Sequence, residues 1–406
     1  MREIILISFL GPDQPNQFTR LMQVLSAHSL QILDVGQAVI HNQLTLGIVV
    51  ASEDQTATAL AMKEILILAH EIGLTVRFKP ILATDYDQWV SEGGRTRYIV
   101  TALAPELKAS HLQAVTQIVS SQGFNIETVT RLSGRPTLTG ESTEPKRACV
   151  EFGLKGQMLD AAAMRAACLK LSSELNVDVA VQEDNAYRRN RRLVCFDMDS
   201  TLIEQEVIDE LAKEAGVGEQ VAEITERAMQ GELDFQSSFR ARVALLKGMD
   251  ASVLASIAER LTVTEGAERL ISTLKALGYR TAILSGGFQY FAEYLQAKLG
   301  IDEVHANILD IQDGKVTGEV KGHIVDGARK ALLLTQIAEE MGISLEQAIA
   351  VGDGANDLPM LSIAGLGVAF RAKPLVRQNA NQAISSVGLD GVLYLLGVHD
   401  KDLNRG

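Results

Sequence analysis

Two apolar runs that stop abruptly at clustered acids constrain this chain more than any other feature. Leu193-Val194-Cys195-Phe196 gives way to Asp197 and Asp199, one residue apart, and then to Ser200 and Thr201. Far downstream, Ala348-Ile349-Ala350-Val351 runs into Gly352-Asp353-Gly354-Ala355-Asn356-Asp357. A short continuous apolar run bounded by turn residues reads as a strand buried on both faces, as in a parallel sheet covered by helices. Ligands in such sheets gather beyond the carboxyl ends of the strands, so these acids are expected in a crevice. Two acids with backbone carbonyls between them can hold a hard divalent cation and leave one carboxylate oxygen free as a nucleophile. Either run alone also fits an ordinary Gly-Asp turn.

Between the two acidic clusters lie pieces suited to a phosphoryl group. Ile283-Leu284-Ser285-Gly286-Gly287 reads as a strand end, with a helix pattern beginning at Phe288. A helix N-terminus there would offer unpaired N–H groups and the positive end of a dipole. Lys330, after Asp326-Gly327-Ala328-Arg329, sits near the start of another helix and could supply a fixed positive charge. A lysine in that place is otherwise a solvated surface residue.

In this order the pieces resemble the haloacid dehalogenase superfamily. Asp-x-Asp-Ser-Thr at 197–201, Ser-Gly-Gly-Phe at 285–288 and Gly-Asp-Gly-Ala-Asn-Asp at 352–357 are similar, more narrowly, to the phosphoserine phosphatase family, over roughly residues 190–398. The resemblance implies an α/β fold, a Rossmann-like parallel-sheet core with a small helical cap at about 204–264. It implies Mg²⁺-dependent hydrolysis of phosphoserine, the last step of serine biosynthesis, through an aspartyl phosphate on Asp197, with Asp199 as acid and then base. Mg²⁺ would be held by Asp197, the backbone carbonyl of Asp199 and Asp353, with Asp357 behind them. Lys330, Ser285 and the Gly286 amide would grip the phosphate, and Asn356 would orient substrate or metal-bound water.

The cap segment is rich in helix formers, with a break at Gly216-Val217-Gly218 and helix patterns through Val221–Met229 and Phe235–Leu246. Arg242 follows Phe235 by seven residues and Phe239 by three, which puts its guanidinium on the apolar face while Arg240 points elsewhere. The resemblance gives Arg242 the substrate carboxylate, Glu206 the substrate ammonium, and Met229 and Phe235 the pocket wall. On spacing alone Arg242 is equally a packed stem with its head in water, Glu206 a helix-dipole partner, and Met229 and Phe235 core. Two other functions stay open. One is a relative acting on another small phosphate ester, or passing phosphate to an alcohol such as homoserine. The other is an amino-acid-sensing protein with a silent catalytic half.

The N-terminal part reads as β-α-β-β-α-β twice over, at 1–82 and 96–184, with residues 83–96 joining the units and 133–146 forming a long hairpin loop. The pair resembles tandem ferredoxin-like ACT domains, modules that bind amino acids and assemble through their sheets. Gly11-Pro12-Asp13-Gln14-Pro15-Asn16 is similar to their first ligand loop and makes Asp13 the candidate effector contact, although Asn16 stands where a glycine is usual. An oligomerisation scaffold without a ligand is the other reading. A homodimer through exposed sheet edges is expected.

Composition bounds the partners. With 406 residues, two to three domains are expected. A net charge of −13 argues against nucleic acid and anionic membrane surfaces. No apolar stretch reaches the ~18 to 20 residues of a membrane span, and the first ten residues read as a strand rather than a signal peptide. Cys149, Cys168 and Cys195 suggest reduced, buried thiols in a cytoplasmic protein. Arg188-Arg189-Asn190-Arg191-Arg192 reads as a solvated linker.

Overall fold

Alternation of apolar residues along the first strands builds the N-terminal unit. The computed structural model describes residues 2–91, 97–138 and 146–403, except for the side chain of Met229. The chain divides into two compact units, Met1–Arg95 and Thr96–Gly406. The first contains β1 (Glu3–Pro12), α1 (Gln17–Ala27), β2 (Gln31–Ile40), β3 (Gln43–Ser52), α2 (Gln55–Glu71), β4 (Thr75–Ile81) and α3 (Ala83–Ser91). Its antiparallel sheet has the order β2-β3-β1-β4. Ile5, Ile7 and Phe9 point from alternate positions of β1 onto Leu21 and Leu25 of α1 and Ala61 and Ile65 of α2. Asp54 starts α2 by accepting from the amides of Thr56 and Ala57. Helix α3 is new relative to the sequence reading, which left 83–96 as a join. It buries no residue, so no apolar stripe announces it.

The second unit opens with the same topology. It contains β5 (Arg97–Ala104), α4 (Ala109–Ser121), β6 (Asn125–Arg131), β7 (Ala148–Lys155), α5 (Ala161–Leu175) and β8 (Asp178–Glu183), in sheet order β6-β7-β5-β8. Of the expected hairpin loop at 133–146, residues 139–145 lie outside the described residues.

The catalytic region follows as β9 (Leu193–Phe196), α6 (Val207–Glu214), α7 (Gly218–Met229), α8 (Phe235–Ala244), α9 (Val253–Arg260), α10 (Ala267–Ala276), β10 (Arg280–Phe288), α11 (Gln289–Leu299), β11 (Glu303–Gln312), β12 (Lys315–Lys321) and α12 (Gly327–Glu340). It ends with β13 (Ala348–Gly352), α13 (Leu358–Ile363), β14 (Leu366–Phe370), α14 (Pro374–Asn379), β15 (Gln382–Ile384), α15 (Val392–Leu395) and α16 (Asp400–Leu403). Seven strands form one sheet in the order β12-β11-β10-β9-β13-β14-β15, parallel except for β12. Every residue of β9 and β13 is buried, which explains their unbroken apolar sequence. One sheet face packs Val194, Phe196, Ile349 and Val351 with α10, α11 and the cap, and the other packs Cys195, Ala348 and Ala350 with α12 and α13.

After β9 the chain builds β10 and β11 on one side of it, then returns to build β13 and β14 on the other. The switch point therefore lies beside β9, where a crevice opens at the strand ends. The cap, α6 to α9, leaves and re-enters through a two-stranded neck in which Ile203 bridges Val263 and the amides of Glu204 and Thr264 donate to the carbonyls of Thr262 and Leu202.

The basic run before β9 is not a solvated linker. Arg188 and Arg191 are 2% and 4% exposed, and Arg188 Nη2 donates to Glu151 Oε2 at 2.5 Å, on the second ferredoxin-like sheet. Only Arg189 and Arg192 of the four arginines are exposed. The run reads as solvated because arginine usually is, but here the second sheet packs directly on the catalytic region. Asp178 seals that seam by accepting from the amides of Ser385 and Ser386, at 2.7 and 2.6 Å. Cys149, Cys168 and Cys195 are buried and free. Among the described residues, no helix is long and apolar enough to cross a membrane.

Candidate active site

Register brings the two acidic motifs together. Phe196 lies level with Val351 on β13 and with Ile283 on β10, so the residues just beyond these positions share one rim. Asp197 follows β9, and its amide donates to Val351 O at 2.9 Å, extending the ladder by one step. Its carboxylate is buried, with Oδ1 accepting from the Met198 amide at 2.7 Å. Ligand oxygens of Asp197, Asp353 and Asp357 all lie within 4.8 Å of one another.

Lys330 is the residue whose setting departs most from its sequence prior. It is fully buried on the first turn of α12, which begins where the Asp326 side chain accepts from the Arg329 amide. Its Nζ lies 2.8 Å from Asp197 Oδ1 and 2.6 Å from Asp357 Oδ1. Burial alone would lower its pKa, but Asp197 and Asp357 outweigh burial and raise it, so the amine stays charged. Asp357 is held from its other oxygen by the Gly354 amide at 2.9 Å. A Cβ on Gly352 would come within 2.4 Å of that carboxylate, so this glycine permits the approach.

Asp199 turns toward the cap instead. Its Oδ1 accepts from the Val207 amide at 3.0 Å, at the start of α6, and its Oδ2 would meet a Cβ on Gly287 at 2.4 Å. Burial first, then the Glu206 carboxylate, pushes its pKa up to about 8, a protonated acid at neutral pH. Burial and then Asp357 raise Asp353 to about 7, and the same two causes hold Asp197 well above the ordinary carboxylate range. Three carboxyl groups besides protonated Asp199 crowd one fully buried lysine, and a cation would offset the repulsion that raises the pKa values of Asp197 and Asp353. The donors are all oxygen, the set preferred by hard divalent ions.

The segment expected to cradle phosphate differs from that expectation in its geometry. Strand β10 runs through Phe288 and α11 starts only at Gln289, so Ser285-Gly286-Gly287 forms an irregular strand end rather than a helix N-terminus. Ser285 is fully buried and its Oγ accepts from the Gly287 amide at 2.8 Å, which leaves its proton to donate. Asn307 fixes this loop: its Nδ2 donates to Gly286 O at 2.8 Å and its Oδ1 accepts from the Val325 amide at 2.9 Å. The sequence reading missed Asn307, which nothing sets apart from the other polar residues in the mixed sequence of β11. It also gave no role to Thr201, whose Oγ1 donates to Asp353 Oδ1 at 3.2 Å. Asn356 is half-buried beside the cradle, its Nδ2 3.7 Å from where a Gly286 Cβ would stand.

The lid closes over these groups. Phe235 touches the cradle, since a Cβ on Gly286 would lie 2.9 Å from its Cζ, and it stacks on Phe239 at 6.1 Å. Gln236 Nε2 donates to Asp326 Oδ2 at 2.6 Å, tying α8 to the cap of α12. Arg242 is half-buried and Arg240 exposed, as the helical spacing predicts. Among the described residues no carboxylate lies within salt-bridge distance of Arg242, whose Nε makes one long contact, 3.4 Å, to Ser238 O. Burial lowers its pKa, partly offset by Glu206, Asp209 and Asp199. Glu206 is exposed at the N-cap of α6, its Oε1 accepting from Ser200 Oγ at 2.9 Å. Met229 closes α7, and its side chain lies outside the described residues. Asp13 belongs to the first unit and is exposed, its amide donating to Asn42 O at 2.8 Å.

The chain is similar to known proteins over nearly its whole length. Residues 191–365 match the haloacid dehalogenase-like hydrolase family, and residues 3–79 match the ACT domain family. The phosphoserine phosphatase of Streptomyces coelicolor is 40% identical over 400 residues, 97% of this chain and 92% of that protein. Phosphoserine phosphatase SerB2 of Mycobacterium tuberculosis is also 40% identical, over 97% of this chain and 93% of its own. Among solved structures, a probable phosphoserine phosphatase from Vibrio cholerae superposes with a TM-score of 0.59 at 35% identity, covering 75% of this chain and 87% of that one. The chain belongs to the phosphoserine phosphatase family of haloacid dehalogenase-like hydrolases.

Proposed function

We propose that the protein hydrolyses O-phospho-L-serine to L-serine and phosphate through an acyl phosphate formed transiently on Asp197. The observation that carries this reading is the buried Lys330 shared by Asp197 and Asp357, beneath a lid that presents a carboxylate-free arginine and an exposed glutamate. A carboxylate oxygen of Asp197 attacks phosphorus as the bond to the serine oxygen breaks. Asp199, protonated at neutral pH, gives its proton to that leaving oxygen. It then takes a proton from the water that attacks phosphorus and frees Asp197. Lys330 Nζ, Ser285 Oγ–H and the Gly286 amide meet the phosphoryl oxygens as charge grows on them. Arg242 grips the substrate carboxylate and Glu206 its ammonium, with Phe235 and Met229 as the wall.

Mg²⁺ suits the oxygen-only donor set. The carboxylates of Asp197 and Asp353 and the carbonyl of Asp199 would hold it, with Asp357 supporting and Asn356 orienting substrate. When bound, it neutralises charge on the transferring phosphoryl group. Phosphate release from a panel of small phosphate esters tests the reading. Phosphoserine is expected to be the best substrate, a chelator to stop release, and Arg242→Ala to raise KM at least tenfold, about 1.4 kcal/mol of lost binding. A better substrate without an amino-acid moiety, or an unchanged KM, contradicts it.

An amino-acid effector near Asp13 and a homodimer through the first unit extend the proposal. Asn16 adopts φ 67°, a left-handed conformation that glycine takes freely and asparagine tolerates, which supports a ligand loop here despite the replacement. Edge strand β2 leaves Ile32, Val35, Val39 and Ile40 exposed, a surface suited to pairing. Calorimetric titration with L-serine should give heat that Asp13→Ala removes, and sedimentation should give two chains per particle. A monomer, or serine heat indifferent to Asp13, refutes the respective part.

A further inference from the structure

The seam between the second ferredoxin-like sheet and the catalytic sheet holds a cavity of about 320 Å³, lined by Arg191, Glu346 and Gly365 just before β9, β13 and β14, at the opposite strand ends from the acidic motifs. Helix α5 and strand β8 form one wall, and α14 and β15 the other, with Arg191 and Glu346 among the lining residues. Its size falls at the lower end of small-molecule pockets, roughly 300–1,000 Å³.

Two guanidinium groups in this cavity lack counterions. Arg191 is 4% exposed; its Nη2 donates to Gly365 O at a long 3.3 Å, and its Nε and Nη1 are buried with no hydrogen-bond partner among the described residues. Arg377 gives Nη2 to Ser172 Oγ at 3.0 Å, and its buried Nε likewise has no partner. No carboxylate lies within salt-bridge distance of either arginine among the described residues. Buried polar groups are almost always satisfied, and an orphaned charged donor costs more than a neutral one. Burial first, then the neighbouring Arg188, pushes the Arg191 pKa down to about 10, only partly offset by Tyr279 and Glu346. The rest of the lining is mixed: Met164, Leu169 and Val179 supply an apolar patch, and polar residues, exposed Arg165 among them, line the remainder. Exposed Glu183 and Glu346 also line the cavity and disfavour a dianion such as phosphate.

We propose that this cavity is a second binding site, for a small organic monocarboxylate whose apolar body lies against Met164, Leu169 and Val179 and whose carboxylate is held by Arg191 and Arg377. Its occupant braces the seam, because each wall belongs to a different sheet. Binding of isovalerate to the full-length protein, followed by calorimetry, tests the assignment. Wild type binds isovalerate, whereas Arg191→Met and Arg377→Gln each weaken it at least about tenfold. Isovaleramide, of the same shape without charge, does not bind, and any uptake of inorganic phosphate is insensitive to both substitutions. Arg377 is half-buried, so its variant keeps the test decisive even where the Arg191 variant misfolds. Arg242→Ala, in the lid, leaves isovalerate binding intact. No binding in wild type, binding unchanged in Arg377→Gln, equal uptake of the amide, or loss in Arg242→Ala would each overturn the proposal.

Discussion

Asp197→Asn is expected to lower kcat for phosphoserine by at least three powers of ten, roughly 4 kcal/mol of transition-state stabilisation, while leaving the metal-free protein at least as stable as wild type. The two halves of this expectation have one cause. Asp197 is buried among Asp199, Asp353 and Asp357, and burial together with Asp357 holds its carboxyl well above the ordinary range. That crowding is unfavourable to the folded state and useful only once a cation and a phosphate ester arrive. The amide keeps the shape, and its side-chain oxygen can still accept from the Met198 amide and Lys330, but it cannot attack phosphorus. Removing one buried negative charge also relieves repulsion within the cluster, and Lys330 keeps Asp357 as its partner at 2.6 Å. Rate assays with Mg²⁺ and thermal unfolding in chelator are the measurements. Residual activity above about a hundredth of wild type would remove Asp197 from the role of nucleophile. A large fall in the metal-free melting temperature would instead show that the carboxylate is needed for folding.

How much of this was legible beforehand depends on whether a feature is local. Strands β9 and β13 are readable because burial on both faces leaves an unbroken apolar run, and their ends are readable because Gly and Asp interrupt it at once. The helical spacing of Phe235, Phe239 and Arg242 likewise survives into α8. What the sequence does not carry is the partner across space. Lys330 and Arg191 read as solvated because most lysines and arginines are, yet both are buried: Lys330 between two carboxylates and Arg191 in a domain seam. Asn307 is invisible for the same reason, since its hydrogen bonds reach Gly286 on β10 and Val325 in the loop before α12. Helix α3 has no buried face and so no periodicity to betray it.

Lys330→Met should cost about 3–5 kcal/mol of stability in the metal-free protein, the usual penalty for removing one partner of a buried ion pair, and abolish measurable turnover. Methionine fills nearly the same volume, so the loss is electrostatic: Nζ is the cation 2.8 Å from Asp197 and 2.6 Å from Asp357, and all three groups are buried. The pH dependence distinguishes this from a packing defect. Lys330 is the largest influence lowering the Asp197 pKa, against burial and Asp357, which raise it. Without Lys330 that carboxyl rises further, so the folded state keeps a proton that the unfolded chain releases near its ordinary pKa of about 3.9. Where the folded state binds more protons, stability falls as pH rises. Wild type, whose Asp197 carboxyl is itself raised, shows the same fall up to its own folded pKa, so the deficit of the variant is level at low pH and widens as pH climbs through that value. In wild type the lysine's own raised pKa keeps its contribution intact throughout that rise, because it is lost only as pH climbs past the ordinary lysine range. Melting temperatures of both proteins in chelator, at about pH 5 and pH 8, read this difference directly. A deficit that stays flat with pH would assign Lys330 a packing role and take away the buried charge on which Asp197 depends.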